Sequence, residues 1–204
     1  MSVVMSMESL SHVWYACYGS NLSFERFSCY IRGGTPPGAE RTYSGCSDTT
    51  LPEDRRQYTI RHRLYFARSS PIWQNGGVAF IDPLRDDARS TLGMIYRITT
   101  DQFVQVVRQE NGLSPDDHEI EMDIRAIIDS GSAVVGTGWY SRLMVLGSLD
   151  GIPILTFTSP EISQPSQPGS NYLRTIRNGL AESYPTLTGR EITEYLKRAI
   201  DQDL

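Results

Sequence analysis

The 204-residue sequence predicts a domain that mixes short strands with amphipathic helices, its sheet closed or strongly bent. Three observations carry this reading. Short apolar or alternating runs recur between turn signals, at residues 13–17, 57–66, 77–81, 92–98, 142–146 and 152–157. Apolar residues return at helical spacing in Phe24, Phe27 and Ile31, in Phe103, Val106 and Val107, and in Ile192 and Leu196. The length suits one domain with a real core. Residues 13–204 are read as that domain and residues 1–12 as a flexible tail, without the basic and apolar regions of a signal peptide.

Composition narrows the class. A net charge of −5 argues against a general nucleic-acid surface. No apolar run approaches the roughly 18–20 residues of a membrane span. Cys17, Cys29 and Cys46 are odd in number and lack a CxxC pair, so neither a disulfide framework nor a zinc site is expected and a reducing cytoplasm is the natural home. His12, His62 and His118 are scattered, and no metal site is expected from them.

The strand at 13–17 runs into Tyr18-Gly19-Ser20-Asn21-Leu22. Gly19 permits a sharp turn, and Ser20 and Asn21 favour turns and helix caps. A strand, a glycine turn and a helix start aim several backbone N–H groups at one spot, which suits a carboxylate or phosphate. A plain strand-to-helix turn is the alternative. A helix is read over 23–31, then a long aperiodic loop over 33–56 that contains Cys46, an incidental thiol. Tyr58, Ile60, His62, Leu64 and Phe66 alternate as one half-buried strand. Arg55, Arg56, Arg61, Arg63 and Arg68 form a solvated face beside it or attract an anion. The strand at 77–81 is read as stopped by Asp82-Pro83.

Thr99 or Thr100 caps a helix over 101–110, with Gln102 as capping-box partner and Asn111-Gly112 as the stop. Glu110 falls in line with the apolar stripe, seven residues after Phe103 and four after Val106. Burial and the helix C-terminus both raise a carboxyl pKa there, the tuning a general base needs. The alternative is that the stripe ends early and Glu110 is a solvated terminus. Ser114-Pro115-Asp116-Asp117 reads as the start of an acidic helix reaching Ile128, with His118 on the surface. Residues 134–140 read as a strand, Asp150-Gly151 as a hairpin turn, 159–170 as a loop, and Thr188-Gly189-Arg190-Glu191 as the capping box of a last helix to about Ile200.

The apolar strand leading into Tyr18-Gly19-Ser20-Asn21-Leu22 resembles the opening of the gamma-glutamylcyclotransferase-like family. Residues 93–99, a helix and then Gln109-Glu110-Asn111-Gly112 are similar to its second motif, although Asn111 stands where many members run Glu-Gly directly. Tyr140 and the segment Pro168-Gly169-Ser170-Asn171-Tyr172 resemble later pocket positions. The resemblance implies an α+β fold, a small mixed sheet bent into a barrel with helices around it. It implies an enzyme that cleaves gamma-glutamyl amides, releasing 5-oxoproline and an amine, with no metal or cofactor. Glu110 would be the acid/base, and Tyr18, Gly19, Ser20, Asn21, Leu22, Tyr140 and Tyr172 would bind substrate. The segments near 33–56 and 113–131 would be insertions bearing on the leaving group. A homodimer is left open. So are two other classes: an inactive relative that binds a small acid or a protein, and an acyl or amide transferase using Cys17 or Ser20 as nucleophile.

Overall fold

A computed structural model describes residues 10–201 except 38 and 119. Part of the expected tail, residues 1–9, lies outside these. Residues 10–12 are tied down: Thr100 donates through its N–H to the Ser11 carbonyl (3.0 Å) and through its hydroxyl to the Leu10 carbonyl (2.6 Å). His12 opens the first strand.

Eight strands and five α-helices are described: β1 His12–Cys17, α1 Phe24–Arg32, β2 Arg55–Ile60, β3 His62–Ser70, β4 Gly76–Arg85, β5 Thr91–Thr99, α2 Thr100–Glu110, α3 Ile124–Ser130, β6 Ser132–Val134, β7 Arg142–Leu149, β8 Ile152–Thr158, α4 Ser170–Ser183 and α5 Gly189–Ile200. A six-stranded sheet runs in the order β2-β5-β1-β8-β7-β6, and β3 pairs with β4 in a separate ribbon. The sheet is mixed, because β1 runs antiparallel to β5 but parallel to β8. The α+β class is therefore observed. No closed barrel is found: β2 and β6 end the sheet, and the β3–β4 ribbon packs beside it through the Thr158 hydroxyl, which donates to the Ile81 carbonyl and accepts from its N–H.

β1 is central and buried on both faces, which explains its unbroken apolar run. Ser23 caps α1 by accepting from the Arg26 N–H, and α2 has the full Thr99–Gln102 capping box. Phe103, Val106 and Val107 are completely buried, each contributing roughly 1.5–3 kcal/mol by removal from water. In α5, Ile192, Leu196 and Ala199 are buried behind the Thr188–Glu191 capping box.

Four elements differ from the sequence reading. The single strand at 57–66 is two, broken at Arg61, because β2 pairs with β5 while β3 pairs with β4. β4 continues through Pro83 to Arg85. The acidic helix shrinks to α3, capped by Asp123. Ser114 instead begins a turn closed by the Asp117 N–H, and Arg108 holds the carbonyls of Pro115 and Ile120. The strand at 134–140 is only β6, followed by a turn over 136–140.

Candidate active site

The Tyr18–Leu22 stretch is a 3-10 turn at Ser20–Leu22 between β1 and α1. α4 crosses it closely. A Cβ at Gly179 would come within 2.8 Å of the Leu22 main chain, and a Cβ at Gly19 would meet the Tyr172 hydroxyl at 3.0 Å. Glycine is needed at 179 for this approach, and at 19 a Cβ would press on the Tyr172 hydroxyl.

The turn and the end of α2 meet. Asn21 Nδ2 donates to Glu110 Oε1 at 2.7 Å and to the Tyr15 hydroxyl at 3.1 Å. Asn21 is 4 % exposed, so this amide is a fixed donor. Glu110 keeps some surface because it faces a cavity of about 460 Å³, but protein encloses it otherwise. Loss of hydration raises its pKa above the ordinary 4.5, opposed by the Arg26 charge, then by hydrogen bonds from Asn21 and Tyr30. The sequence places Glu110 on the buried stripe, and the structure places it at the stripe's open end.

Of the residues expected to bind substrate, Ser20, Tyr140 and Tyr172 line the cavity with Glu110. Tyr172 accepts from the Ala79 N–H at 3.1 Å. Tyr140 donates to the Ala79 carbonyl at 3.1 Å, so one residue of β4 positions both rings. Burial pushes both hydroxyls up, which keeps them neutral. Tyr18 and Leu22 do not reach the cavity. The Tyr18 hydroxyl donates to the Phe157 carbonyl at 2.7 Å, and Leu22 is packed in the core. Gly19 and Asn21 lie behind the wall, acting through Tyr172 and Glu110.

Asn111, the departure from the family's second motif, has a visible task. Its side chain accepts from the Tyr140 N–H at 2.9 Å and donates to the Tyr140 carbonyl at 3.2 Å. It thus clamps the 136–140 turn to the end of α2, next to Glu110.

The opposite wall was not singled out from the sequence. Arg26 is 5 % exposed and lies between the rings of Trp73 (4.8 Å) and Tyr43 (5.5 Å). Its Nη2 donates to the Tyr43 hydroxyl at 2.6 Å, and the Tyr30 hydroxyl lies 3.1 Å from the same oxygen. Arg41 also stacks on Tyr43, 5.0 Å from the ring centre, and donates to the Gln109 carbonyl at 3.0 Å. The available signal was the i, i+4 pair Arg26 and Tyr30 beside the apolar stripe of α1.

The cysteines are free. Cys17 is buried in β1 away from the cavity, and burial pushes its thiol up. Cys46 is likewise buried, its thiol pushed up to about 12. His62 is buried, its Nδ1 2.8 Å from the Asp82 carbonyl, and His118 is exposed. Among the described residues no group of three or more His, Cys, Asp or Glu is placed to hold a metal, and no helix is long and apolar enough to cross a membrane.

The mixed sheet with its surrounding helices has the gamma-glutamyl cyclotransferase fold. A solved gamma-glutamyl cyclotransferase superposes with a TM-score of 0.54 at 17% identity, covering 94% of this chain and 89% of that one. An uncharacterized protein from Homo sapiens does so with a TM-score of 0.53 at 16% identity, covering 95% and 90%. In sequence, the chain is 36% identical over 208 aligned positions to histone deacetylase 5 of Arabidopsis thaliana. The match takes in 94% of this chain but 31% of that protein, so the chain spans about a third of its curated relative. No family model matches the chain.

Proposed function

We propose that the protein is a cyclotransferase acting on gamma-glutamyl amides. The observation that supports this most is the 2.7 Å hydrogen bond from Asn21 to Glu110 at the edge of the cavity. It holds a carboxylate of raised pKa in one orientation while leaving a face open to a ligand.

In this reading the Tyr18–Leu22 turn takes the substrate α-carboxylate through Ser20, the turn residue that lines the cavity. Glu110 accepts a proton from the substrate α-amino group. The freed nitrogen attacks the γ-carbonyl carbon of its own glutamyl unit, and a five-membered ring closes. As the γ-amide C–N bond breaks, Glu110 returns the proton to the departing amine. The products are 5-oxoproline and that amine. Because attack is intramolecular, effective molarities of roughly 10⁵ M or more are open to the substrate, and proton transfer by Glu110 adds about 10²–10⁴-fold. Tyr172 already accepts from Ala79, and its O–H has no acceptor among the described residues, so it is free to donate into the cavity.

The alignment with the deacetylase takes in 31% of that protein, so its name supports no activity for this chain. A thiol nucleophile at Cys17 is disfavoured by its burial away from the cavity.

The test is release of 5-oxoproline from a panel of gamma-glutamyl compounds, with and without a thiol alkylator. Turnover that survives alkylation and disappears in Glu110→Gln is the expected result. Turnover lost on alkylation would transfer the chemistry to a cysteine. No turnover of any compound would leave a binding protein.

A further inference from the structure

The reading above gives both proton transfers to Glu110, and the groups that hold this carboxylate extend beyond Asn21. A line of polar atoms joins it to the buried cation on the other wall. Arg26 Nη2 donates to the Tyr43 hydroxyl at 2.6 Å, the Tyr43 and Tyr30 hydroxyls are 3.1 Å apart, and Tyr30 hydrogen-bonds Glu110. Arg26, Tyr30 and Tyr43 are each at most 5 % exposed, so water competes little for these bonds.

Each link is also held by contacts outside the line. The Tyr30 carbonyl accepts from the Gln109 side chain at 3.0 Å, which fixes α1 against the end of α2 one residue before Glu110. Tyr43 stacks on Tyr30 with ring centres 4.1 Å apart, and its main chain exchanges bonds of 3.0 and 2.9 Å with Gly34. Trp73 covers the Arg26 guanidinium at 4.8 Å from the ring centre.

The chemistry of the two ends gives the line a direction. A guanidinium only donates, and an ionised carboxylate only accepts. Each phenol has one proton to give. With Glu110 ionised, Tyr30 gives its proton to the carboxylate, the charge-assisted and stronger bond, and Tyr43 gives its own to Tyr30. With Glu110 protonated, Tyr30 is released to donate to Tyr43. The line therefore tightens when the carboxylate is charged, each bond polarising the next, and slackens when it is neutral. Direct contact with Arg26 would hold Glu110 ionised; two intervening phenols pass on part of the charge and leave it able to take up a proton. The other titratable neighbours are Tyr15, Cys17 and Tyr18 on β1 and the residue after it, Tyr140, and Tyr172 on α4, all kept neutral by burial. Arg41 adds a second positive charge from the 33–56 loop.

We propose that Tyr30 and Tyr43 are positioning residues, a phenol bridge that ties Glu110 to Arg26 through oriented hydrogen bonds and holds the carboxylate for proton transfer. The use of Glu110 as the base rests on the cyclotransferase reading, whereas the bridge is measured without turnover.

The experiment follows the Glu110 carboxyl carbon by NMR from acid to alkaline pH in protein labelled with ¹³C-glutamate, the signal being assigned by its loss in Glu110→Gln. The titration midpoint should rise by about one pH unit in Tyr30→Phe and by less in Tyr43→Phe. The double variant should rise no further than Tyr30→Phe, since cutting the last link silences the one before it. Tyr195→Phe, which removes a hydroxyl bonded to the Leu92 N–H, should leave the midpoint in place. The acid limb of 5-oxoproline release should move with the midpoint. An unmoved midpoint in Tyr30→Phe, or shifts that add in the double variant, would overturn the bridge and leave the cyclotransferase reading standing. The expected midpoints without turnover of any gamma-glutamyl compound would keep the bridge and remove that reading. If Tyr30→Phe fails to fold, Tyr43→Phe decides, and an unmoved midpoint there overturns the bridge.

Discussion

The two walls of the cavity carry opposite charges and are held by different means. On one side, Glu110 ends α2 and is fixed by the neutral amide of Asn21. On the other, Arg26 rises from α1 and is fixed by two aromatic faces and a phenol. The phenols of Tyr30 and Tyr43 stand between them: Tyr30 reaches Glu110, Tyr43 reaches Arg26, and the two hydroxyls bond to each other. The charges therefore feel one another without closing into an ion pair. Elsewhere in the molecule, Arg63 and Asp82 do close, at 2.9 Å. A closed pair satisfies itself and offers little to a ligand, whereas a separated pair in one cavity can receive a group of each sign.

The comparison can be broken most severely at Glu110. Glu110→Gln should lower kcat for 5-oxoproline release by about 10²–10⁴-fold while keeping the fold. Its stability should show the reverse sign. Glu110 has its pKa raised by burial, so the folded protein holds that proton more tightly than the unfolded chain. The stabilisation this gives is fully present below the ordinary value of 4.5 and fades as pH climbs through the raised value. Melting curves at pH 8 should therefore place Glu110→Gln at or above the parent, with the gap closing in acid.

A smaller effect is expected at Asn21. Removing its donor in Asn21→Ala should cost about 10–100-fold in kcat/KM. The acid limb of the pH–rate profile, which already lies above 4.5, should move further up, because the lost hydrogen bond had favoured the charged carboxylate. A limb that stayed in place would mean that Asn21 does not set the acidity of Glu110. Tyr43→Phe acts on the other wall. It removes the Arg26 bond and should destabilise the fold by about 1–2 kcal/mol in urea titrations, with a lesser loss of activity. The smallest change belongs to His118→Ala, at an exposed position. Activity should be unaltered and stability within about 0.5 kcal/mol.

The acidic wall was legible in the sequence and the basic wall was not, for a physical reason. Glu110 interrupts an apolar stripe, and the Tyr18–Leu22 turn has a local backbone logic, so each announces itself within a few residues. Arg26 carries no such mark. Its meaning comes from Tyr43 and Trp73, which arrive from the 33–56 loop and from the turn between β3 and β4. That loop shows no periodicity, yet it is pinned by the Gly34–Tyr43 bridge and by Gln102, whose side-chain amide holds the carbonyls of Asp48 and Thr50. The acidic helix failed in the opposite way. Its capping signal at Ser114 is real, but Arg108 captures the carbonyls of Pro115 and Ile120 that a helix would use. Helix ends and hairpins, such as the Asp150-Gly151 turn with both residues at positive φ, were readable because their causes are local. The closed barrel was not met because closure depends on pairing between distant edges.

The place of β1 has a consequence for biosynthesis. β1 leaves the ribosome well before β8 yet sits beside it in the middle of the sheet, and the Ala16 carbonyl accepts a hydrogen bond from Thr156, 140 residues later. At translation speeds of about 5–20 residues per second, that neighbour is absent for roughly 7–28 s. For that interval the nascent chain presents an oily ribbon with an unzipped border, a natural client for a chaperone stationed at the exit tunnel.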